Sequence, residues 1–271
     1  MSTAEKSLLG KITPYCAQYD PCLLFPIPRH EKRSELGIVA LPFTGLDIWT
    51  AYEVSWLNLK GKPEVRIAEF AFQVDSPNLI ESKSFKLYLN SFNGTRFDSE
   101  ETVRQTMIKD LSAASGEEVA VEFKKLAGHE LLLGELPGVN LDDLDIEVNH
   151  YQVTPDLLTT SDEWVEEETL NSHLLKSNCL VTAQPDWGSV VIRYRGLRIV
   201  EEGLLKYLIS FREHNEFHEQ CVERIFMDIM SHCAPERLTV YARYVRRGGL
   251  DINPYRSNYE DEFDISRTQR Q

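Results

Sequence analysis

The order of apolar and polar positions predicts β-strands in the first part of the chain. Residues 49–56 and 64–74 are rich in β-branched and aromatic side chains and partly alternate, and a turn at Gly61 separates them. This pattern predicts a β-hairpin, and residues 118–125 predict a further strand. Residues 1–40 have weak periodicity and several prolines, so we expect an extension packed over the body rather than a domain.

A helical period replaces the alternation after residue 80. In residues 81–92 the apolar side chains recur at i, i+3, i+4 and i+7, which predicts a helix with one buried face. Residues 98–112 predict a second helix, capped by Asp98 or Ser99. The apolar stripe of the first helix consists of Phe85, Tyr88, Leu89 and Phe92.

The same order of elements recurs in the second half of the chain. The sequence KLYLNSF at 86–92 matches KYLISF at 206–211 with one deletion. A repeat longer than a secondary-structure period indicates duplication, and a strand-strand-helix-helix-strand order favours helices on one face of an antiparallel sheet. The repeat predicts two α+β domains. The second set of elements comprises strands at 164–175 and 189–195, helices at 200–211 and 217–230, and a strand at 237–245.

The repeat defines the predicted domain organisation. The first module, with the N-terminal extension, takes residues 1–126, and the second takes residues 161–271. Residues 127–160 contain glycines, prolines and an acidic run, and predict a linker or an arm across the boundary.

Composition narrows the class of protein. The formal charge of −14 repels a phosphate backbone, and no basic stripe compensates, so we expect no nucleic-acid partner. No apolar run approaches the roughly 20 residues of a membrane span. The five scattered cysteines are typical of reduced thiols, and neither they nor the histidines have the spacing of a metal site. We therefore expect a soluble, cytoplasmic protein without a bound metal.

Residues 177–188 offer a nucleophile and an acid on one short stretch. Cys179 attacks only as a thiolate, and Asp186 can donate a proton. Seven residues of extended chain span roughly 23 Å, so the two side chains meet only if the chain folds back between them. The sequence PDWG at 185–188 predicts the turn. The alternative is a buried structural cysteine and an ordinary turn.

Polar residues cluster at the start of the helix predicted over 81–92. Glu81 and Ser82 stand at its first turn, and Lys83 and Lys86 lie opposite the apolar stripe. Exposed N–H groups with nearby lysines suit a phosphate. An ordinary helix also has Glu and Ser in its first turn and lysines on its solvated face, so this alternative stays open.

Two later positions carry further candidates. Glu219 can accept two hydrogen bonds from a purine-like amidine edge, whereas His218 lies one turn before the buried face of its helix and is typical of a half-buried structural histidine. The alternative for Glu219 is stabilisation of the helix dipole. Arg246 and Arg247, followed by two glycines, suit the phosphates of a dinucleotide, although a basic turn after a strand is common.

Taken together, these segments resemble the QueF family of NADPH-dependent nitrile reductases, in its long two-module form. The resemblance covers nearly the whole chain. It rests on ESKSFKLY at 81–88, SNC at 177–179 with Asp186, FHE at 217–219 and RGGLDINP at 247–254.

The resemblance implies a fold, a reaction and its chemistry. The fold is a pair of tandem tunnelling-fold (T-fold) domains, each an antiparallel sheet with two helices on one face. The reaction is the reduction of 7-cyano-7-deazaguanine to 7-aminomethyl-7-deazaguanine by two NADPH, in the biosynthesis of the tRNA nucleoside queuosine. Cys179 adds to the nitrile carbon to form a covalent thioimide, and Asp186 protonates the nitrogen.

The resemblance also implies the binding residues and the assembly. Ile80, Glu81, Ser82, His218 and Glu219 contact the deazaguanine ring, Ser82, Lys83, Arg247 and Gly248 contact NADPH, and the protein is a homodimer. Two alternatives stay open. One is another T-fold enzyme acting on a purine or pterin, such as a cyclohydrolase-like hydrolase, which in its zinc form needs ligands that the spacing does not provide. The other is a non-catalytic purine-binding protein.

Overall fold

A computed structural model describes residues 15–127, 133–180, 182–261 and 267–271 of the chain. Residues 1–14 of the predicted extension and residues 128–132 of the predicted arm lie outside it. The chain divides into two compact units. Unit 1 comprises Met1–Val39, Leu46–Leu131 and Arg246–Asp251, and unit 2 comprises Ala40–Gly45, Leu132–Val245 and Ile252–Gln271.

An antiparallel sheet in the order β5-β3-β2 forms the body of unit 1, beside a small β1-β4 ladder. The predicted hairpin at Gly61 is confirmed. Asn58 closes its turn by accepting hydrogen bonds from the backbone N–H groups of Lys60 and Lys62, and Gly61 has a φ of +83° that favours glycine. The strands are β1 (Pro26–Pro28), β2 (Thr44–Leu57), β3 (Pro63–Gln73), β4 (Asn78–Ile80) and β5 (Ala120–Lys124).

Three helices accompany this sheet, and the two that the sequence predicted are confirmed. Phe85 of the second helix is fully buried, and its ring lies 5.1 Å from that of Trp49 and 5.0 Å from that of Phe70. Ser99 caps the third helix by accepting a hydrogen bond from the N–H group of Thr102. The helices are α1 (Arg29–Glu35), α2 (Ser82–Ser91) and α3 (Glu100–Ser115).

The strands of unit 2 follow the order β11-β10-β9-β7-β6, and β8 pairs with β9. The predicted strands at 164–175 and 189–195 lie within longer strands, except that the chain leaves the sheet after Ser172. The sequence did not predict β8, which is too short to show a period, or β11, whose polar residues are buried. The strands are β6 (Val139–Asn140), β7 (Thr160–Ser172), β8 (Lys176–Asn178), β9 (Pro185–Ile199), β10 (Arg237–Tyr244) and β11 (Leu250–Ser257).

Two helices, α4 (Glu201–Ile209) and α5 (His218–Cys233), complete unit 2 and confirm the helical predictions there. The apolar face of α5, formed by Val222, Ile225, Phe226 and Ile229, is fully buried, and the ring of Phe226 lies 5.1 Å from that of Phe43. Burial of this stripe anchors the helix, since most helical stability in proteins comes from packing an apolar face.

The predicted internal repeat has a counterpart in the hydrogen bonds. Tyr88 of α2 donates its hydroxyl to Asp110 of α3 at 2.8 Å, and Tyr207 of α4 donates to Asp228 of α5 at 2.7 Å. Three residues after each tyrosine, the hydroxyl of a buried serine donates a hydrogen bond to the carbonyl oxygen of that tyrosine, at 2.6 Å in both cases. We call these two contacts the Tyr–Asp links. Each joins the two helices of one repeat.

Both units therefore combine antiparallel strands with helices, and the predicted α+β class is confirmed. Among the described residues, no helix is both long and apolar enough to cross a membrane.

The two Tyr–Asp links allow a matched comparison of stability. Tyr207→Phe removes a hydroxyl that bonds Asp228, and burial already raises the pKa of this carboxyl. We expect the free energy of unfolding to fall by about 2 kcal/mol, the usual worth of a hydrogen bond to a charged group. Tyr88→Phe should cost less, because Asp110 also accepts from Tyr19 at 2.7 Å. Urea denaturation of both variants measures the difference, and equal losses would contradict it.

Candidate active site

The candidate nucleophile and acid belong to one tight hairpin of unit 2. Strand β8 pairs antiparallel with β9, so that Ser177 is opposite Asp186 and Asn178 is opposite Pro185. The chain turns between them, where the N–H of Cys179 donates to the Gln184 carbonyl at 2.8 Å. The expectation that the chain folds back between Cys179 and Asp186 is confirmed.

The position of the turn was predicted wrongly. Residues 185–188 are not a turn but the first residues of β9, and the turn precedes them, with Ala183 at a φ of +53°. A proline fits at the start of a strand because that position needs no N–H donor. The turn composition of PDWG therefore marks the strand's first residues.

The hairpin brings the two candidate residues to its turn end. Ser177 and Asp186 are opposite each other and therefore share a face. Cys179 lies one residue beyond β8, where its N–H donates to Gln184 and its carbonyl oxygen accepts from the N–H of Ala183 at 3.0 Å. The candidate nucleophile is thus part of the turn, two residues along the chain from the strand partner of Asp186.

Asp186 is buried and lies beside a histidine. Its side chain is 5% exposed, and its Oδ2 lies 3.4 Å from Nε2 of His218, whose side chain is 14% exposed. The imidazole stacks flat on the ring of Tyr244, with 3.8 Å between ring centroids and 4° between planes. The stack fixes the plane of the histidine that faces Asp186.

Gly188 leaves the space that this stack needs. A Cβ at Gly188 would lie 3.2 Å from two ring carbons of Tyr244 and 3.4 Å from the Leu175 side chain. Tyr244 is the partner of Gly188 across the β9-β10 ladder. The glycine predicted to close a turn instead gives the Tyr244 ring room beside β9.

Helix α5 begins with the two predicted contact residues. The N–H of Phe217, just before the helix, donates to the side chain of Gln220 at 3.3 Å. His218 and Glu219 are the first two helical residues, and Glu219 is 3% exposed. The first turn of a helix favours a negative charge, so Glu219 suits both the dipole and a hydrogen-bonding ligand.

A third acidic residue, Glu216, was not predicted from the sequence. It is fully buried, accepts hydrogen bonds from Arg224 at 2.7 and 3.0 Å, and accepts another from His214 at 2.8 Å. Burial alone would raise the pKa of Glu216, but the bonds from His214 and Arg224 outweigh it and lower the pKa to about 2. The carboxylate is therefore ionised and held by three donors.

In unit 1, Glu81 performs the structural role that the sequence left open. Its two carboxylate oxygens accept the N–H groups of Lys83 at 2.6 Å and Ser84 at 2.8 Å, which makes it the N-cap of α2. Burial raises the pKa of Glu81, against the lowering effect of these bonds and of the nearby lysines. Ile80 ends β4 directly before it.

The predicted basic turn of unit 1 is a two-residue hairpin. Arg247 and Leu250 exchange backbone hydrogen bonds at 2.9 and 3.4 Å, and the glycines between them have φ values of +60° and +74°. Two positive φ angles in succession indicate a type I′ turn. Gly248 lies beside α2, because a Cβ there would be 3.5 Å from the side chain of Lys86.

The predicted site residues lie in both units. A pyridine dinucleotide carries several phosphate charges, and the lysines of α2 with the open backbone of the basic turn suit them. Among the described residues, no group of three or more His, Cys, Asp or Glu side chains could hold a metal ion. Unit 1 carries Ile80, Glu81, Ser82, Lys83, Arg247 and Gly248, and unit 2 carries Cys179, Asp186, His218 and Glu219.

The stack on His218 can be tested at Tyr244. Tyr244→Leu removes the aromatic plane, and we expect turnover to fall roughly tenfold as the imidazole loses its orientation toward Asp186. Tyr244→Phe keeps the ring and should retain most of the turnover. Steady-state kinetics of both variants, with thermal denaturation to compare folding, provide the measurement. Equal activity of the two would contradict a role for the ring plane.

The lowered pKa of Glu216 predicts a pH-dependent contribution to stability. A folded-state pKa of about 2, below the ordinary 4.5, stabilises the fold above the ordinary value, and this gain is lost as the pH falls toward 2. We expect the stability difference between the parent and Glu216→Gln to shrink by about 2 kcal/mol from about pH 6 to about pH 3. Urea denaturation across this range measures it, and a constant difference would contradict the assignment.

Two family models match the chain. The family described as "Nitrile reductase, 7-cyano-7-deazaguanine-reductase N-term" matches residues 15–123, and the family described as "QueF-like protein" matches residues 185–262. Asp186, His218 and Glu219 lie in the second match, and Cys179 lies just before it.

Curated relatives match over the full length. The NADPH-dependent 7-cyano-7-deazaguanine reductase of Hydrogenovibrio crunogenus is 68% identical, over 100% of this chain and 98% of its own. Relatives of the same name from Cupriavidus necator and Chromobacterium violaceum are 60% and 56% identical, over 100% of this chain and 100% and 98% of theirs. A solved structure, the archaeosine synthase QueF-Like in the apo form, aligns at 17% identity with a TM-score of 0.32, over 38% of this chain and 99% of its own. On the strength of the sequence matches, the chain belongs to the QueF family of nitrile reductases.

Proposed function

We propose that this chain reduces the nitrile 7-cyano-7-deazaguanine to 7-aminomethyl-7-deazaguanine with NADPH, in queuosine biosynthesis, by way of a covalent thioimide on Cys179. The observation that carries the mechanism is the β8-β9 hairpin, whose turn begins at Cys179 and whose second strand carries the buried carboxyl of Asp186. The full-length relatives named as reductases of this nitrile support the substrate and the cofactor.

The first step forms a C–S and an N–H bond, and it breaks one C–N π bond and the O–H bond of the protonated Asp186. The sulfur of Cys179 adds to the nitrile carbon, a C–N π bond breaks, and the nitrogen takes a proton from Asp186. A bare nitrile is a poor hydride acceptor, whereas the carbon of a protonated thioimide is electrophilic, so the covalent step divides one hard reaction into easier ones. NADPH supplies the hydride when bound, and conversion of a nitrile to an amine takes two hydrides and two protons.

The surroundings of Asp186 support its role as donor. Burial disfavours the charged form of a carboxyl group, and this side chain is 5% exposed. Nε2 of His218 lies 3.4 Å from Oδ2 of Asp186, and the histidine side chain is more exposed than that of Asp186. The imidazole ring stacks on the ring of Tyr244. A titratable group in this position can return a proton to Asp186 after each transfer.

Five residues are proposed to recognise the deazaguanine ring. Glu219 and His218 start α5, and the buried carboxylate of Glu219 suits the amidine edge of the ring. The others are Ile80, Glu81 and Ser82, where β4 passes into α2. Since Glu81 already accepts two backbone N–H groups, its orientation is fixed before any ligand binds.

The NADPH contacts are proposed at Ser82, Lys83, Arg247 and Gly248. The type I′ turn leaves the Gly248 backbone without a side chain beside Lys86, where phosphate oxygens can approach closely. Lys83 and Arg247 bring positive charge to this region, although the formal net charge of the whole chain is −14.

The finer architecture and setting also belong to the proposal. Two tandem T-fold modules, at residues 1–126 and 161–271 with an arm at 127–160, account for the repeated Tyr–Asp links. We further propose a cytoplasmic homodimer without a nucleic-acid partner, in line with the strongly acidic charge.

A stoichiometric assay tests the proposed reaction. The protein is mixed with 7-cyano-7-deazaguanine and NADPH, and the NADPH consumed per nitrile is counted. We expect two. Without NADPH, intact mass spectrometry should show an adduct of the protein with the nitrile, and Cys179→Ala should lack both the adduct and turnover.

Cys22→Ala is the matched control, because Cys22 is an exposed free thiol and should leave the adduct unchanged. Asp186→Asn should form the adduct more slowly by roughly 100-fold or more, since general acid catalysis contributes that much. Native turnover by Cys179→Ala would refute the mechanism.

A further inference from the structure

We propose that Glu216 is a positioning residue for the nucleophile. By tying residues 214–216 to helix α5, its carboxylate fixes the backbone that holds Asn178, and thereby sets the place of Cys179. The inference rests on the proposed role of Cys179 as the nucleophile, and it assigns to Glu216 a role that the proposed reaction does not include.

The anchor is a buried ionic contact between a loop and a helix. Arg224, in the second turn of α5, donates two hydrogen bonds in fork geometry, one to each carboxylate oxygen of Glu216, at 2.7 and 3.0 Å. His214 donates to one of the same oxygens at 2.8 Å. Bidentate bonds between charged groups are strong and directional. The loop therefore has one position relative to the helix.

The backbone of this loop is hydrogen-bonded to the last residue of β8. The N–H of Asn178 donates to the His214 carbonyl at 2.8 Å, and the N–H of Glu216 donates to the Asn178 carbonyl at 3.1 Å. The side chain of Asn178 adds a bond to Asn215 at 3.0 Å. Residues 214–216 thus act as a short parallel strand on one edge of Asn178.

The other edge of β8 is already occupied. Asn178 pairs with Pro185 of β9, and Cys179 is bonded through its N–H to Gln184. The residue directly before the nucleophile is consequently held on both sides. On one side, strand β9 carries Asp186. On the other side, the loop of residues 214–216 leads to His218, two residues after Glu216. Glu216 is the link between the nucleophile and the start of α5.

An ionised carboxylate suits this role better than a neutral side chain. It accepts from three donors at once, whereas a glutamine has one acceptor oxygen and presents an NH₂ group to the remaining donors. Glu216→Gln therefore opposes donor to donor inside the cluster, and the loop must shift. A displacement of about 1 Å at a reacting atom can slow a reaction roughly 100-fold.

The test compares covalent chemistry with binding. We expect Glu216→Gln to form the thioimide adduct about 10- to 100-fold more slowly than the parent in single-turnover mass spectrometry. The dissociation constant of the nitrile, measured by titration in a Cys179→Ala background with and without Glu216→Gln, should change far less. Hydrogen exchange should accelerate at the Asn178 and Glu216 amides, and the β10 amides should be unaffected.

Two further variants keep the result interpretable. Glu223→Gln breaks another buried ion pair on α5, with Arg256 of β11 at 2.9 Å. This pair ties α5 to β11 and not to residues 214–216, so its adduct rate should stay near the parental value at a similar loss of stability. Asn215→Ala removes one exposed hydrogen bond to Asn178 and should fold normally. It should slow the adduct in the same direction but less, and it carries the test if Glu216→Gln does not fold.

The outcomes separate the two proposals. Adduct formation at the parental rate by the Glu216 and Asn215 variants overturns the positioning role and leaves the proposed function intact. An equal slowing by Glu223→Gln also overturns it, because the effect is then one of general stability. A parent that forms no adduct overturns the thioimide mechanism, and the positioning of a nucleophile with it.

Discussion

The pairing register of β8 on β9 is the constraint on which the proposed chemistry depends. Opposite residues in an antiparallel pair share a face, and a slip of one residue reverses every side chain. The register sets Ser177 opposite Asp186 and Asn178 opposite Pro185, and it thereby fixes the point at which Cys179 enters the turn. Strand β8 has only three residues, too few to secure a register by hydrophobic pattern alone. Its neighbours must do so.

Those neighbours combine backbone bonds with buried polar groups. Residues 214–216 hold one edge of Asn178 and β9 holds the other, while Gly188 leaves room for the ring of Tyr244. The ionic contact of Glu216 with Arg224 belongs to the same support. Buried ion pairs contribute little net stability compared with well-packed apolar groups, but they are costly to break. Around this hairpin their value lies in geometry.

Much of the fold could be predicted because its apolar stripes are long and regular. Helix α2 is predicted by the apolar stripe of Phe85, Tyr88, Leu89 and Phe92, and the burial of that face confirms the prediction. Strand β11 escaped prediction because its buried side chains include Asp251 and Asn253, which no hydrophobic period contains. The turn was misplaced because proline and glycine are common both in turns and at the ends or bulges of strands.

The candidate site was less accessible to residue patterns. Cys179 and Asp186 gained meaning only from the resemblance to a family, since a lone cysteine and an acid seven residues away have many uses. Glu216 had no signal at all. It sits in a polar stretch, and nothing in the sequence indicates that His214 and Arg224 turn toward it and exclude water. Burial of a charge is a property of the folded chain.

The Tyr–Asp links have a consequence for the two helix pairs that they join. In each link the hydrogen-bond acceptor lies in the middle of the second helix, at Asp110 of α3 and at Asp228 of α5. The first turn of the second helix therefore does not take part in the link that joins the two helices. The first turn of α3 carries two ordinary acids, Glu100 and Glu101, whereas the first turn of α5 carries His218 and Glu219. The tip of one such helix can thus carry residues suited to chemistry while each helix pair keeps its Tyr–Asp link.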